Sequence, residues 1–148
     1  MVIRVKPHEK FKVLHNPPKG TRIIIMIGGR GGLKTTQATI GINAHVIANK
    51  KRVQVLRDEA TKIKNSIMYE ILSRFERYNV NGVLNSEFTK TENSIKDAKT
   101  GEELVFTQGF RASSNAKTSH MKGTANINIG VVEEMADIVD EDKFNDWK

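Results

Sequence analysis

Residues 21–37 read "TRIIIMIGGRGGLKTTQ", and this stretch decides how the rest of the chain is organised. The run "RIIIMI" at 22–27 is apolar and largely β-branched, the pattern of a strand buried on both faces. It leads directly into Gly28, Gly29, Arg30, Gly31 and Gly32, then Leu33, Lys34, Thr35 and Thr36. A phosphate-binding loop requires Gly, four free positions, then Gly-Lys-Ser/Thr, set between a strand and a helix. Gly28, Lys34 and Thr35 satisfy that pattern, and Leu33 occupies the place of the second Gly.

The chemistry explains the spacing. Glycines let consecutive backbone N–H groups approach an anion, and the following helix adds the positive end of its dipole. In such a loop Lys34 reaches the β- and γ-phosphates as a point charge, and the Thr35 hydroxyl binds Mg²⁺. If Leu33 must take a positive φ, its Cβ costs about 1–2 kcal/mol.

Outward from the loop, "KTTQATIGINAHVIANK" places Ala38, Ile42, Val46 and Ile47 at near-helical spacing, closing at Asn49-Lys50. "RVQVLR" (52–57) reads as a second strand. From Glu59 to about Tyr78 the residues Ile63, Ile67, Ile71, Leu72 and Phe75 form a helical stripe. "GVLNSEFTKTENSIKD" and "EELVFTQGF" flank "AKTG" as a small β-hairpin excursion. A polar loop follows at 111–124, and "INIGVVEE" (127–134) rises as an apolar strand ending in two carboxylates. This order implies one α/β domain over residues 1–148, with a largely parallel sheet flanked by helices.

Composition narrows the class. The 148 residues hold no cysteine, which excludes disulfides, zinc–thiolate sites and thiol catalysis. No apolar run approaches the roughly 18 residues of a membrane span, and the N-terminus lacks the apolar centre of a secretory signal. The net charge of +7 is uneven. Residues 133–148 hold seven acids and two bases, a balance of −5, so residues 1–132 carry +12. A surplus of that size suits a polyanionic partner, nucleotide or nucleic acid, or simply a soluble basic surface. His8, His15, His45 and His120 lack ligand-like spacing, and the scattered aromatics form no base-stacking platform.

The second half of a nucleotide site lies in "IGVVEE". In phosphate-loop folds an apolar strand ends in an acid that holds Mg²⁺, with a second acid beside it to polarise the attacking water. Glu133 fits the metal role and Glu134 the general-base role.

With both halves in view, the chain from about Thr21 to Asp137 resembles the N-terminal ATPase domain of phage terminase large subunits, a P-loop NTPase fold. "GGRGGLKT" is similar to the family's Gly-Gly-Arg-Gly-x-x-Lys-Ser/Thr, in which the position before Lys is relaxed. "VLRDEATKIKNSIMYEI", "ELVFTQGF", "KTSHMKG" and "VVEEMADI" follow the family's order of elements. The resemblance implies ATP and Mg²⁺ as cofactors and double-stranded DNA as a partner. It also implies a ring of subunits, contact with the portal and the small terminase subunit, and action in the host cytoplasm.

It assigns Arg30 to the γ-phosphate within the subunit. Lys122 lies where many members carry an arginine acting across the subunit boundary; lysine matches planar phosphate recognition less well, and Arg111 is an alternative. Lys117 and Lys122 are also placed to touch DNA phosphates. Beyond Glu134 the family continues into a coupling motif and a nuclease domain, so the resemblance implies an incomplete ATPase domain that cleaves no DNA. Two other readings use the same residues: a non-catalytic, degenerate loop in a DNA-binding or assembly module, and a small P-loop kinase, which needs a lid.

Overall fold

The computed structural model describes residues 6–27, 33–57, 67–109 and 126–133. Five strands form one sheet: β1 (Val53–Arg57), β2 (Phe88–Lys90), β3 (Ile95–Asp97), β4 (Glu103–Gly109) and β5 (Ile129–Val132), in the order β2-β3-β4-β1-β5. Among the described residues two α-helices, α1 (Lys34–Asn49) and α2 (Ile67–Tyr78), supply the helical layer. The fold is α/β, as the sequence implies. The sheet is mixed, because β1 pairs in parallel with β4 and β5 while β2, β3 and β4 pair antiparallel. The parallel character is therefore only partial.

The strand β1 is buried on both faces. Val53 and Val55 point into the main core, and Gln54 and Leu56 are equally covered on the opposite face. A strand with parallel neighbours on both sides takes this pattern. Against Val53 and Val55 pack Ala38, Ile42 and Val46 of α1 and Ile67, Met68, Ile71 and Phe75 of α2. The Phe75 and Phe88 rings meet edge to face, with centroids 5.7 Å apart, and so tie α2 to the hairpin side of the sheet.

The run at 22–27 departs from expectation. Residues 21–27 form no strand, and Ile23, Ile25 and Ile27 are 67, 70 and 92% exposed. Only Met26 of this run packs on the core. Strand propensity reflects packing and pairing on a sheet, not an intrinsic backbone state. Both edges of β1 are taken by β4 and β5, and 22–27 pairs with no described strand. The segment has strand composition without a partner.

The expected hairpin forms and goes further than an excursion. β3 pairs with both β2 and β4, so these strands extend the main sheet instead of standing apart as a lid. The turn after β3 is organised by Asp97, whose Oδ1 accepts the N–H groups of Lys99 (2.8 Å) and Thr100 (3.1 Å). Gly101, at φ +72°, completes it. α1 ends in a left-handed residue, Lys50 (φ 51°). The Lys50 N–H bonds Val46 O and the Lys51 N–H bonds His45 O. A glycine would be the usual choice there, but the Lys50 ammonium reaches Asp97 at 3.1 Å and lies 3.9 Å from the Phe88 ring centroid. The helical stripe is present over 67–78; its expected start at 59–66 lies outside the described residues.

α1 and α2 are joined by a buried polar contact. Asn43 is fully buried, and its Nδ2 donates to Thr39 O (2.9 Å) and across to Ile71 O (3.1 Å). Arg74 Nε adds a bond to Thr39 Oγ1 at 3.2 Å. Asn43→Ala leaves the Ile71 carbonyl without this donor. It is expected to lower unfolding free energy by about 1–3 kcal/mol, measured by urea denaturation, whereas an exposed control such as Glu92→Ala changes little.

A pH effect follows from Asp97. The Thr100 N–H, then the Lys50 ammonium and the Lys99 N–H, hold its carboxyl down from 3.8 to about 2. A carboxyl more acidic when folded stabilises the fold fully above its unfolded value and loses that contribution as pH falls toward 2. Asp97→Asn should therefore be less stable than the parent chain at pH 7. The gap should close between about pH 4 and pH 2; a gap constant across that range would contradict the assignment.

Candidate nucleotide-binding site

Two elements of the expected site are described, the start of α1 and the end of β5. α1 ends at Asn49, four residues before β1 begins at Val53, so its C-terminus lies at the edge where the parallel strands start. α1 is 16 residues, about 24 Å long, with Lys34 at its opposite end. Glu133 follows β5, its N–H donating to Leu56 O at 3.0 Å and prolonging the parallel ladder at the carboxyl ends of β1 and β5. The position of β5 is set at its other end by Asn128. Its Oδ1 accepts the Arg52 N–H (2.9 Å), while its own N–H donates to Arg52 O (3.0 Å). In open α/β sheets the carboxyl ends of parallel strands are where ligands bind.

At the loop side, Leu33 takes φ 57°, ψ 9° and caps α1 at its N-terminus. This is the left-handed conformation that a glycine before Lys would adopt freely. The Gln37 N–H donates to Leu33 O (2.9 Å), so the helix begins immediately after this turn, with Lys34 as its first residue. Leu33 and Thr35 are exposed, and Lys34 and Thr36 are half-buried. Glu133 is half-buried, and its carboxylate accepts the Ile67 N–H at 3.4 Å, so the same acid also meets the first described residue of α2.

Gly28, Gly29, Arg30, Gly31, Gly32, Glu134, Arg111, Lys117 and Lys122 lie outside the described residues. The donors that are described suit a hard cation. The Thr35 hydroxyl and the Glu133 carboxylate are oxygen ligands of the kind Mg²⁺ takes. No group of three or more metal-ligating side chains stands together among the described residues.

The structure adds a wall that the sequence did not announce. Glu9–Leu14 forms a short 3-10 helix laid across α1. The His8 N–H donates to the buried Gln37 Oε1 (3.0 Å), Leu14 packs beside Gly41, and the His45 ring bonds Leu14 O at 2.9 Å. A Cβ on Gly41 would meet the Leu14 Cβ at 3.4 Å, so a small residue allows this close approach. Burial, and secondarily His45, hold the His15 imidazole below its ordinary value. A cavity of about 520 Å³ lies between this segment, the run 24–27 and the first residues of α1, with His8, Lys10, Phe11, Ile27, Leu33 and Lys34 in its wall. Nothing in the basic, irregular pattern of residues 1–20 signalled that wall. Its only cue is Gly41 on an otherwise helix-favouring face.

The family model described as phage terminase large subunit matches residues 20–146, 127 of the 148 residues. The chain belongs to the phage terminase large subunit family. Comparison with curated proteins and with solved structures finds no match. Membership gives the chain a place in a phage DNA-packaging terminase. The matched range takes in the Leu33 turn, all five strands and Glu133, and begins after the 3-10 segment. No helix among the described residues is long and apolar enough to cross a membrane.

The backbone of Leu33 yields a direct test. Leu33→Gly removes a left-handed non-glycine residue whose side chain is half exposed and contributes little burial. It should raise stability by about 1 kcal/mol, about 3 °C in melting temperature for a domain of this size. Leu33→Ala, which keeps the Cβ, should give no such gain.

Proposed function

We propose that this chain is the Mg·ATP-binding and hydrolysing module of a DNA-packaging terminase motor. The observation that carries the reading is the left-handed turn at Leu33, which opens α1 with Lys34 as its first residue. Lys34 and the first N–H groups of α1 meet the β- and γ-phosphates, as a helix N-terminus favours anions. Thr35 and Glu133 hold the metal, which when bound neutralises charge on the phosphate oxygens. Glu134 orients and deprotonates the attacking water, and Arg30 contacts the γ-phosphate. The basic surplus supports DNA as the polyanion moved. Backbone phosphates are then contacted by Lys117 and Lys122, with Arg111 or Lys122 reaching a neighbouring subunit.

A small kinase is less well supported, because the strands that would serve as its lid are paired into the main sheet. The strain at Leu33 favours the second reading, a degenerate loop in a DNA-binding module.

Ligand linkage separates these readings. Mg·ATP at 100 times its dissociation constant adds about 2.7 kcal/mol of stability, several degrees in a thermal melt. Lys34→Ala should abolish the shift, and Glu134→Gln should keep it while lowering turnover. No shift at millimolar Mg·ATP, together with tight DNA binding that weakens steeply with salt, would select the non-catalytic module.

A further inference from the structure

Residues 8–15 meet α1 through His8, Leu14 and His15, and the geometry there suits neutral imidazoles. At the start of the 3-10 helix, His8 Nδ1 accepts the Lys10 N–H at 3.3 Å, which needs a lone pair on that nitrogen. At its end, the His45 ring of α1 bonds Leu14 O at 2.9 Å. His15 follows, half-buried against the same helix. Its Nε2 lies 3.9 Å from where a Cβ on Gly41 would stand, and that nitrogen is buried without a hydrogen-bond partner.

A proton on His15 has no place in this arrangement. It would put a charged N–H in a covered position with no acceptor, which costs more than a neutral unpaired group. The backbone of His15 is already committed, its N–H donating to Lys12 O at 3.0 Å. α1 carries no Asp or Glu, and its ionisable side chains are Lys34 and His45. Of these, His45 acts on His15, and with burial it disfavours the charged ring. On the 3-10 helix itself Glu9 is taken by Lys12 at 2.6 Å, and Lys10 adds positive charge. Among the described residues no carboxylate offsets a charge on His15. A histidine that takes up a proton less readily when docked loses docking free energy as pH falls below its ordinary value of 6.5. Protonation of His8 acts in the same direction, because it removes the acceptor for Lys10.

We propose that residues 8–15 are a pH-sensitive strap on α1. With its imidazoles neutral the strap stays docked and forms one wall of the cavity of about 520 Å³ beside Lys34. Protonation of His15, assisted by that of His8, releases it. Release withdraws Phe11, Val13 and Leu14 from the cavity wall and uncovers the Gly41 face of α1. The strap precedes residue 20, where the family match begins, and its release does not rest on the Mg·ATP reading.

Solution NMR of the full chain reads both sides of this linkage. The His15 ring should titrate at lower pH in the parent chain than in Gly41→Val, whose side chain crowds Leu14 and keeps the strap off α1 at every pH. Amide protection over residues 9–15, corrected for the intrinsic pH dependence of exchange, should fall several-fold between about pH 7.5 and pH 5.5. For one proton the limit is about ten-fold per pH unit. Protection in α1 and β1 should hold over the same range. His15→Phe keeps a ring that takes no proton, and should retain strap protection at pH 5.5. Equal His15 midpoints in the parent chain and Gly41→Val overturn the proposal. Strap protection that is unchanged at pH 5.5, or that falls only together with β1, also overturns it, as does an equal loss in His15→Phe. If His15→Phe is already undocked at pH 7.5, the two midpoints decide; if Gly41→Val does not fold, the exchange profile of the parent chain decides.

Discussion

The parallel pairing of β1 on both of its edges is the constraint from which the rest of the structure follows. Val53 stands in register with both Val105 and Ile129, and Leu56 with both Gln108 and Val132. That double register buries β1 on both faces and brings three strand ends to one edge. It also sets Glu133 one residue past β5, bonded to Leu56 through its backbone. A slip of one residue would turn Val53 and Val55 away from α1 and α2 and displace Glu133. The burial that stabilises the sheet and the placement of the candidate metal ligand are therefore one requirement.

The helical layer meets the same requirement from above. Asn43 reaches from α1 to the Ile71 carbonyl of α2, beside the Arg74–Thr39 bond that joins the same helices. Such a bond adds little net free energy, but leaving its partners unsatisfied costs more, so it favours one relative placement of the two helices. Lys34 opens α1 and Glu133 meets Ile67 of α2. The Asn43 bond thus helps hold together elements that carry opposite charges of the candidate site. Polar groups in the core act here on geometry more than on stability.

Much of this was legible in the residues. The helix at 34–49, the strand at 53–57, the turn at 98–101 and the strand that precedes Glu133 follow from periodicity, glycine placement and the run of apolar residues. The order of motifs pointed to the terminase family, and the family match supports it. The run 22–27 has the composition of a buried strand, but composition reports what a segment can do, not whether a neighbour is available. The segment at 9–14 was invisible for the converse reason. Its role comes from contacts with Gln37, Gly41 and His45, far away in sequence, and not from any pattern of its own.

The sequence by itself determined the α/β class, the charge asymmetry and the identity of the groups suited to phosphate and Mg²⁺, because those depend on local periodicity and side-chain chemistry. It also posed the conditional at Leu33: a positive φ, if required, would carry strain. Only the tertiary structure decided that φ is positive there, that the hairpin strands join the main sheet, and that Ile23–Ile27 stay open beside Lys34. Those outcomes depend on which backbone edges find partners. Edge pairing is a property of the assembled sheet, set by contacts between residues distant in sequence, and no single segment encodes it.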